Sequence, residues 1–123
     1  MKVASIQLSV VEGDKDATLK KAKHAIEESY DADLVILSEI WNIGFMSFDQ
    51  YMDKAETIEG PTPTLMRTLA REKGIYLHTG SFVEKEKGKY YNTSLLLSPD
   101  GEILARYRKI HLFGYNSKET QIL

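Results

Sequence analysis

Cysteine is absent from all 123 residues. That excludes disulfide bridges, thiolate metal centres and a thiol nucleophile within these residues. Charge of one sign is also lacking: 16 Lys and Arg face 18 Asp and Glu, a net charge of -2. Such a balance offers no strong field to a phosphate backbone or an anionic membrane, so neither nucleic acid nor lipid is expected as a partner. Lys20, Lys21 and Lys23 cluster on one stretch but read as a solvated helix face. No apolar run approaches the ~18 residues of a membrane span. Met1 to Leu8 alternates instead of forming the continuous apolar core of a secretory leader, which makes the cytoplasm the expected location. A glycine-rich phosphate loop is missing too, so nucleotide binding has no support.

What is present belongs to an ordinary globular domain. With 42% hydrophobic and 28% charged residues, the composition argues against disorder. The length suits one unit, residues 1–123, able to bury about two-thirds of its unfolded surface. Ala4, Ile6, Leu8 and Val10 alternate with Ser5, Gln7 and Ser9, a strand with one face buried more deeply. Leu19, Ala22, Ile26 and Tyr30 recur at helical spacing over 16–30. Leu34 to Leu37 is a short, uniformly apolar run, as in a strand covered on both faces. Strand, helix, strand in this order predicts a parallel βαβ unit.

An aromatic-rich connection follows, with Trp41, Phe45, Phe48 and Tyr51 and a short helix expected around 48–55. Thr62 is placed to cap a helix starting at Pro63, with Leu65, Met66, Leu69 and Ala70 inward and Gly74 ending it. Ile75 to Val83 reads as a third buried strand. Lys87-Gly88 is a turn into Tyr90–Leu97, and Ser98-Pro99-Asp100-Gly101 is a turn into a strand over Ile103–Leu112. Two βα units and an antiparallel meander thus share one mixed sheet. The tail, 116–123, carries no cap, turn or charged end, and the chain is expected to be the N-terminal part of something longer.

Two charged residues stand where open α/β sheets place their sites, past the ends of buried strands. Glu39 closes the apolar run in Leu37-Ser38-Glu39-Ile40-Trp41, and Lys109 sits in Tyr107-Arg108-Lys109-Ile110-His111-Leu112-Phe113. The competing reading of each is a surface charge at a strand end. His24 among lysines reads as solvated, His78 as a satisfied core histidine, and His111 as a neighbour supporting Lys109. Three histidines so far apart give no zinc spacing, and no cofactor is implied.

The segment from Leu37 to Phe45 resembles the stretch of the nitrilase superfamily that carries its general-base glutamate. Tyr107 to Phe113 resembles the stretch carrying its lysine. Ile58-Glu59-Gly60-Pro61-Thr62 is similar to the family's entry into its second helix. Tyr91-Asn92-Thr93-Ser94 with Ser98-Pro99-Asp100-Gly101-Glu102 is similar to its central hairpin. The four stretches stand in the expected order, and the resemblance runs from Met1 to about Leu123.

The resemblance implies an αββα sandwich of the carbon–nitrogen hydrolase type, of which this chain is the N-terminal portion, a mixed sheet with two helices on one face. It implies hydrolysis of a small-molecule amide, carbamoyl compound or nitrile, and a homo-oligomer. Glu39 matches the base that takes a thiol proton, and Lys109 the cation that stabilises the tetrahedral oxygen. Glu119 is the candidate for a second glutamate downstream of the lysine, with a surface acid as the competing reading. Phe45 is the candidate to line the substrate pocket, with core packing as the alternative. The family's nucleophilic cysteine has no counterpart here. Ser38 and Ser94 are the nearest hydroxyls, and neither has a histidine at motif-like spacing. Two other readings compete: a non-catalytic assembly partner, and a doubly wound signalling or binding domain.

Overall fold

The computed structural model describes residues 1–115 and 117–123. Its strands are β1 (Val3–Ser5), β2 (Leu34–Ile36), β3 (Tyr76–His78), β4 (Phe82–Glu86), β5 (Lys89–Leu97) and β6 (Ile103–Arg108). The helices are α1 (Lys15–Glu27), α2 (Tyr51–Lys54), α3 (Pro61–Lys73) and α4 (Glu119–Ile122), with a single 3-10 turn at Phe48–Gln50 before α2. β1, β2 and β3 pair in parallel, with Ala4, Val35 and Leu77 in register. β5 runs antiparallel to each of its neighbours β3, β4 and β6. Both β3 and β6 pair with Leu96 and Leu97, and both β4 and β6 pair with Thr93, so β3 and β4 follow each other along one edge of β5. An antiparallel β5 at this place leaves the doubly wound signalling alternative unfavoured.

Local chemistry accounts for the two long helices. Asp14 caps α1 by accepting a hydrogen bond from the Ala17 amide at 3.0 Å. Pro61 occupies the first turn of α3, where its missing N–H costs nothing, and Gly74 ends the helix in the left-handed conformation at φ 63°. α1 contributes Leu19, Ala22 and Ile26 and α3 contributes Met66, Leu69 and Ala70 to one core over Val35, Leu77, Leu95 and Leu97. Both helices therefore cover the same face of the sheet, as expected from the sequence. This is one α and one β layer of the αββα arrangement.

Five expectations need correction. Tyr30 lies beyond the end of α1 and is 79% exposed, because the chain turns away after Glu28. Thr62 does not cap α3, whose cap position is Gly60. The buried Glu56 carboxylate takes the Thr62 amide at 2.6 Å instead. The strand expected over 75–83 breaks at Thr79–Ser81, because Gly80 turns to φ 65° where its backbone meets Ser38. The strand expected over 103–112 ends at Arg108. The tail is not without structure, since α4 forms there. Asn116 lies outside the described residues.

The sheet's other face is only partly covered. A smaller cluster of Ile40, Ile43, Tyr51 and Val83 sits there, flanked by Phe45 and Phe48. Beside it, Leu34 and Ile36 are half-buried, while Tyr76 and Tyr107 are 47% and 55% exposed. The site lies on this face.

Candidate active site

Glu39 follows β2 on a turn that is held at several points. The Ser81 amide donates to Ser38 O at 3.1 Å, the Ile40 amide donates to the Ser81 hydroxyl at 3.1 Å, and the Trp41 indole donates to Thr79 O at 2.8 Å. Ile40 adopts φ 43°, a left-handed conformation that a β-branched residue takes only when its surroundings impose it. Gly80 lies against this turn so closely that a Cβ would stand 2.0 Å from Ser38 O. The break between β3 and β4 therefore serves the placement of Glu39.

Lys109 is the first residue past β6, and its amide donates to Asn92 O at 2.9 Å. Its ammonium reaches Glu39 Oε1 at 2.8 Å and both Glu119 oxygens at 3.2 and 3.3 Å. Glu119, at the start of α4, is fully buried. Its carboxylate also accepts from the Phe113 amide at 2.7 Å, which ties the loop after Lys109 to the site. A buried carboxylate without such partners would be costly, so Glu119 is a member of the cluster and not a surface acid.

Burial works against the charged form of Lys109, but the hydrogen bonds it donates to Glu39 and Glu119, with the charges of those carboxylates, outweigh it and raise its pKa. Tyr51 packs beneath the site. Burial, then the charges of Glu119 and Glu39, keep its phenol protonated far above the usual range, and it donates to Phe45 O.

Above these groups opens a cleft of about 210 Å³, lined by Ser38, Glu39, His78, Asn92, Ser94 and Lys109 among others. Phe45 is not among the lining residues. It is half-buried, packs on the smaller cluster, and lies with its ring centroid 5.5 Å from the Lys109 ammonium. His78 is not a core histidine: it lines the cleft, with Nδ1 accepting from the Gly80 amide at 3.1 Å. His24 is exposed beside Glu28. His111 is exposed and takes no part in the hydrogen bonds of the Lys109 cluster. Ser38 and Ser94 line the cleft without a histidine hydrogen-bonded to either among the described residues. No group of three or more His, Asp or Glu side chains among the described residues is arranged to hold a metal ion.

Two residues escaped the sequence reading. Asn92 is buried and donates through Nδ2 to Glu39 Oε1 at 2.8 Å and to Glu119 Oε1 at 2.9 Å. Its signal was a polar residue at an inward position of β5, beside Thr93 and Ser94. Glu56, also buried, ties the connection before α3 by accepting from Asn42, Thr62 and Lys15. Nothing in its sequence surroundings set it apart.

The carbon-nitrogen hydrolase family model matches residues 2–122. Omega-amidase NIT2-B of Xenopus laevis is 42% identical over 103 residues, covering 80% of this chain and 36% of that protein. The 2-oxoglutaramate amidase of Paenarthrobacter nicotinovorans is 35% identical over 96 residues, covering 75% of this chain and 33% of that protein. XC1258 from Xanthomonas campestris, a CN-hydrolase superfamily protein solved with an arsenic adduct in its active site, superposes with a TM-score of 0.87. That match has 30% sequence identity and covers 98% of this chain and 44% of that chain. The chain spans about a third of the length of these two amidases. Sequence, fold and the order of its motifs agree: the chain belongs to the carbon–nitrogen hydrolase family of the nitrilase superfamily.

Proposed function

We propose that residues 1–123 carry the base and oxyanion-stabilising half of an amide-hydrolysing centre, completed by a thiol that these residues do not contain. The observation that carries this reading is the shared ammonium: Lys109 lies between Glu39 and the buried Glu119, at the rim of a cleft. A purely structural role accounts less well for that cluster, because a buried carboxylate beside a lysine adds little to stability over apolar packing.

In this reading a thiol adds to the amide carbon while Glu39 accepts its proton. Both hydrogen bonds to Glu39 within the site fall on Oε1, which leaves Oε2 to take the proton. The C=O electron pair moves onto oxygen, where Lys109 donates a charge-assisted hydrogen bond. The oxygen pair then re-forms the carbonyl, the C–N bond breaks, and Glu39 returns its proton to the leaving amine. Water, deprotonated in turn by Glu39, releases the acid from the thioester. Glu119 holds the ammonium in position. Among amides, carbamoyl compounds and nitriles, small amides are favoured, because the two relatives named above are an omega-amidase and 2-oxoglutaramate amidase.

The test compares ammonia release from small amides, carbamoyl compounds and nitriles by the 123-residue chain and by a polypeptide joining it to a cysteine-bearing C-terminal segment. The chain alone is expected to be inactive and the joined polypeptide active on amides. Turnover by the chain alone in a metal-free preparation, abolished by Ser38→Ala or Ser94→Ala, would overturn the reading.

A further inference from the structure

We infer that Asn92 is a positioning residue: a neutral double donor that fixes the spacing of Glu39 and Glu119 around Lys109. The inference rests on the proposed reading of Glu39 and Lys109, and assigns a role to a residue outside that set. Three observations converge on it. The side-chain nitrogen has two protons, and two carboxylates accept from it at 2.8 and 2.9 Å. The backbone carbonyl of the same residue accepts from the Lys109 amide at 2.9 Å. The residue is 3% exposed and lies in β5, which is paired on both edges, so its own position is rigid. One residue thereby contacts all three charged partners, which come from the β2 turn, the end of β6 and α4.

The chemistry favours an amide at this place. Two carboxylates and one ammonium leave the cluster with one net negative charge. Two carboxylates so close repel, and something must hold them together. A second cation would do so but would neutralise the charge that lets Glu39 accept a proton. A hydroxyl has a single proton and would reach only one of the two. A carboxylate would add repulsion. An amide donates twice and adds no charge. Holding both carboxylates also leaves Glu39 Oε2 outside these hydrogen bonds and the ammonium in one place, the kind of preorganisation whose loss shows in the rate.

The test has two arms. In the cysteine-bearing polypeptide, NMR of the Asn92 side-chain amide should show both protons shifted downfield. Glu39→Gln is expected to move one of them and Glu119→Gln the other. In the same polypeptide, Asn92→Ala is expected to lower kcat about ten- to hundredfold with KM nearly unchanged. Asn92→Asp keeps the size and should lose at least as much. Asn92 signals indifferent to both Gln substitutions would overturn the inference. So would near-normal kcat in a folded Asn92→Asp variant, or losses that follow the melting temperature alone. An inactive parent polypeptide would instead count against the amidase reading, and the NMR arm would still decide the role of Asn92.

Discussion

Arg108 grips the buried carboxylate of Glu84 from across β5, its Nε and Nη2 each 2.9 Å from one carboxylate oxygen. The Thr93 hydroxyl donates to the same group at 2.6 Å, and the Arg108 guanidinium stacks 3.8 Å over the Tyr91 ring. Lys109 is the next residue, so this pair on the helix-covered side anchors the strand end that presents the ammonium on the other side.

Removing the two partners should have unequal effects. Arg108→Ala leaves a 1% exposed carboxylate with Arg106 at 3.4 Å as its remaining cation, and is expected to cost about 3 kcal/mol. Glu84→Gln removes the buried charge and leaves Arg108 bound to Glu86, so it should cost less. Burial alone would raise the pKa of Glu84, but the bonds from Arg108 and Thr93 and the charges of both arginines hold it below the usual carboxylate range. A depressed carboxylate pKa contributes stability above the unfolded value, and that contribution is lost as pH falls through the folded one. Denaturant melts between pH 7 and pH 3 should show this acid loss in the parent and not in Glu84→Gln. An equal loss in both would refute the assignment.

In the cysteine-bearing polypeptide, Glu39→Gln should remove the proton acceptor while keeping its shape, and Lys109→Ala should remove the oxyanion partner. Each is expected to lower kcat by two to three orders of magnitude, about 3–4 kcal/mol of transition-state stabilisation. Glu119→Gln should act through Lys109 and cost less. Near-normal turnover in either of the first two variants would remove that residue from the mechanism.

Gly80→Ala probes how the base is held. The added methyl would stand 2.0 Å from Ser38 O at a residue with φ 65°, so the turn carrying Glu39 must move. Strain and displacement together should cost at least about 2 kcal/mol. A thermal melt of this variant that matches the parent would show that the β3–β4 break is not what fixes Glu39.

Periodicity made α1, α3 and the parallel pair legible, because each buries one face in a regular repeat. Glu39 and Lys109 were legible as charges after apolar strands, within stretches resembling a family. Glu119 was only the one acid left downstream, and its burial depends on a loop that folds back to place the Phe113 amide on it. Asn92 stayed hidden because one strand position says nothing of two carboxylates arriving from 53 residues earlier and 27 later. Thr62 was misread because capping preferences are local, whereas the donor and acceptor pair at α3 involves Glu56, six residues back.

The chain on its own is expected to associate or bind apolar dyes. Strand alternation sends Val3, Leu34 and Tyr76 to the face opposite α1 and α3, and Ile36, His78, Leu96 and Ala105 form the next row in register. Val3 and Tyr76 remain 51% and 47% exposed, and Tyr107 at the neighbouring row is 55% exposed. Fully burying a large apolar side chain is worth about 1.5–3 kcal/mol, so completing the burial of these three half-covered ones would gain roughly 2–5 kcal/mol. That is a sizeable fraction of the net stability of a whole domain. A face carrying so much unrealised burial draws a partner layer, from a second copy or from further polypeptide, and until covered it offers an apolar surface to ANS. Light scattering and ANS fluorescence of the 123-residue chain should therefore show oligomers or strong dye binding. Joining it to a C-terminal segment that supplies a second sheet should abolish the dye signal and sharpen the thermal melt. A monodisperse monomer that melts cooperatively and leaves ANS dark would mean that the face is stable in water as it stands.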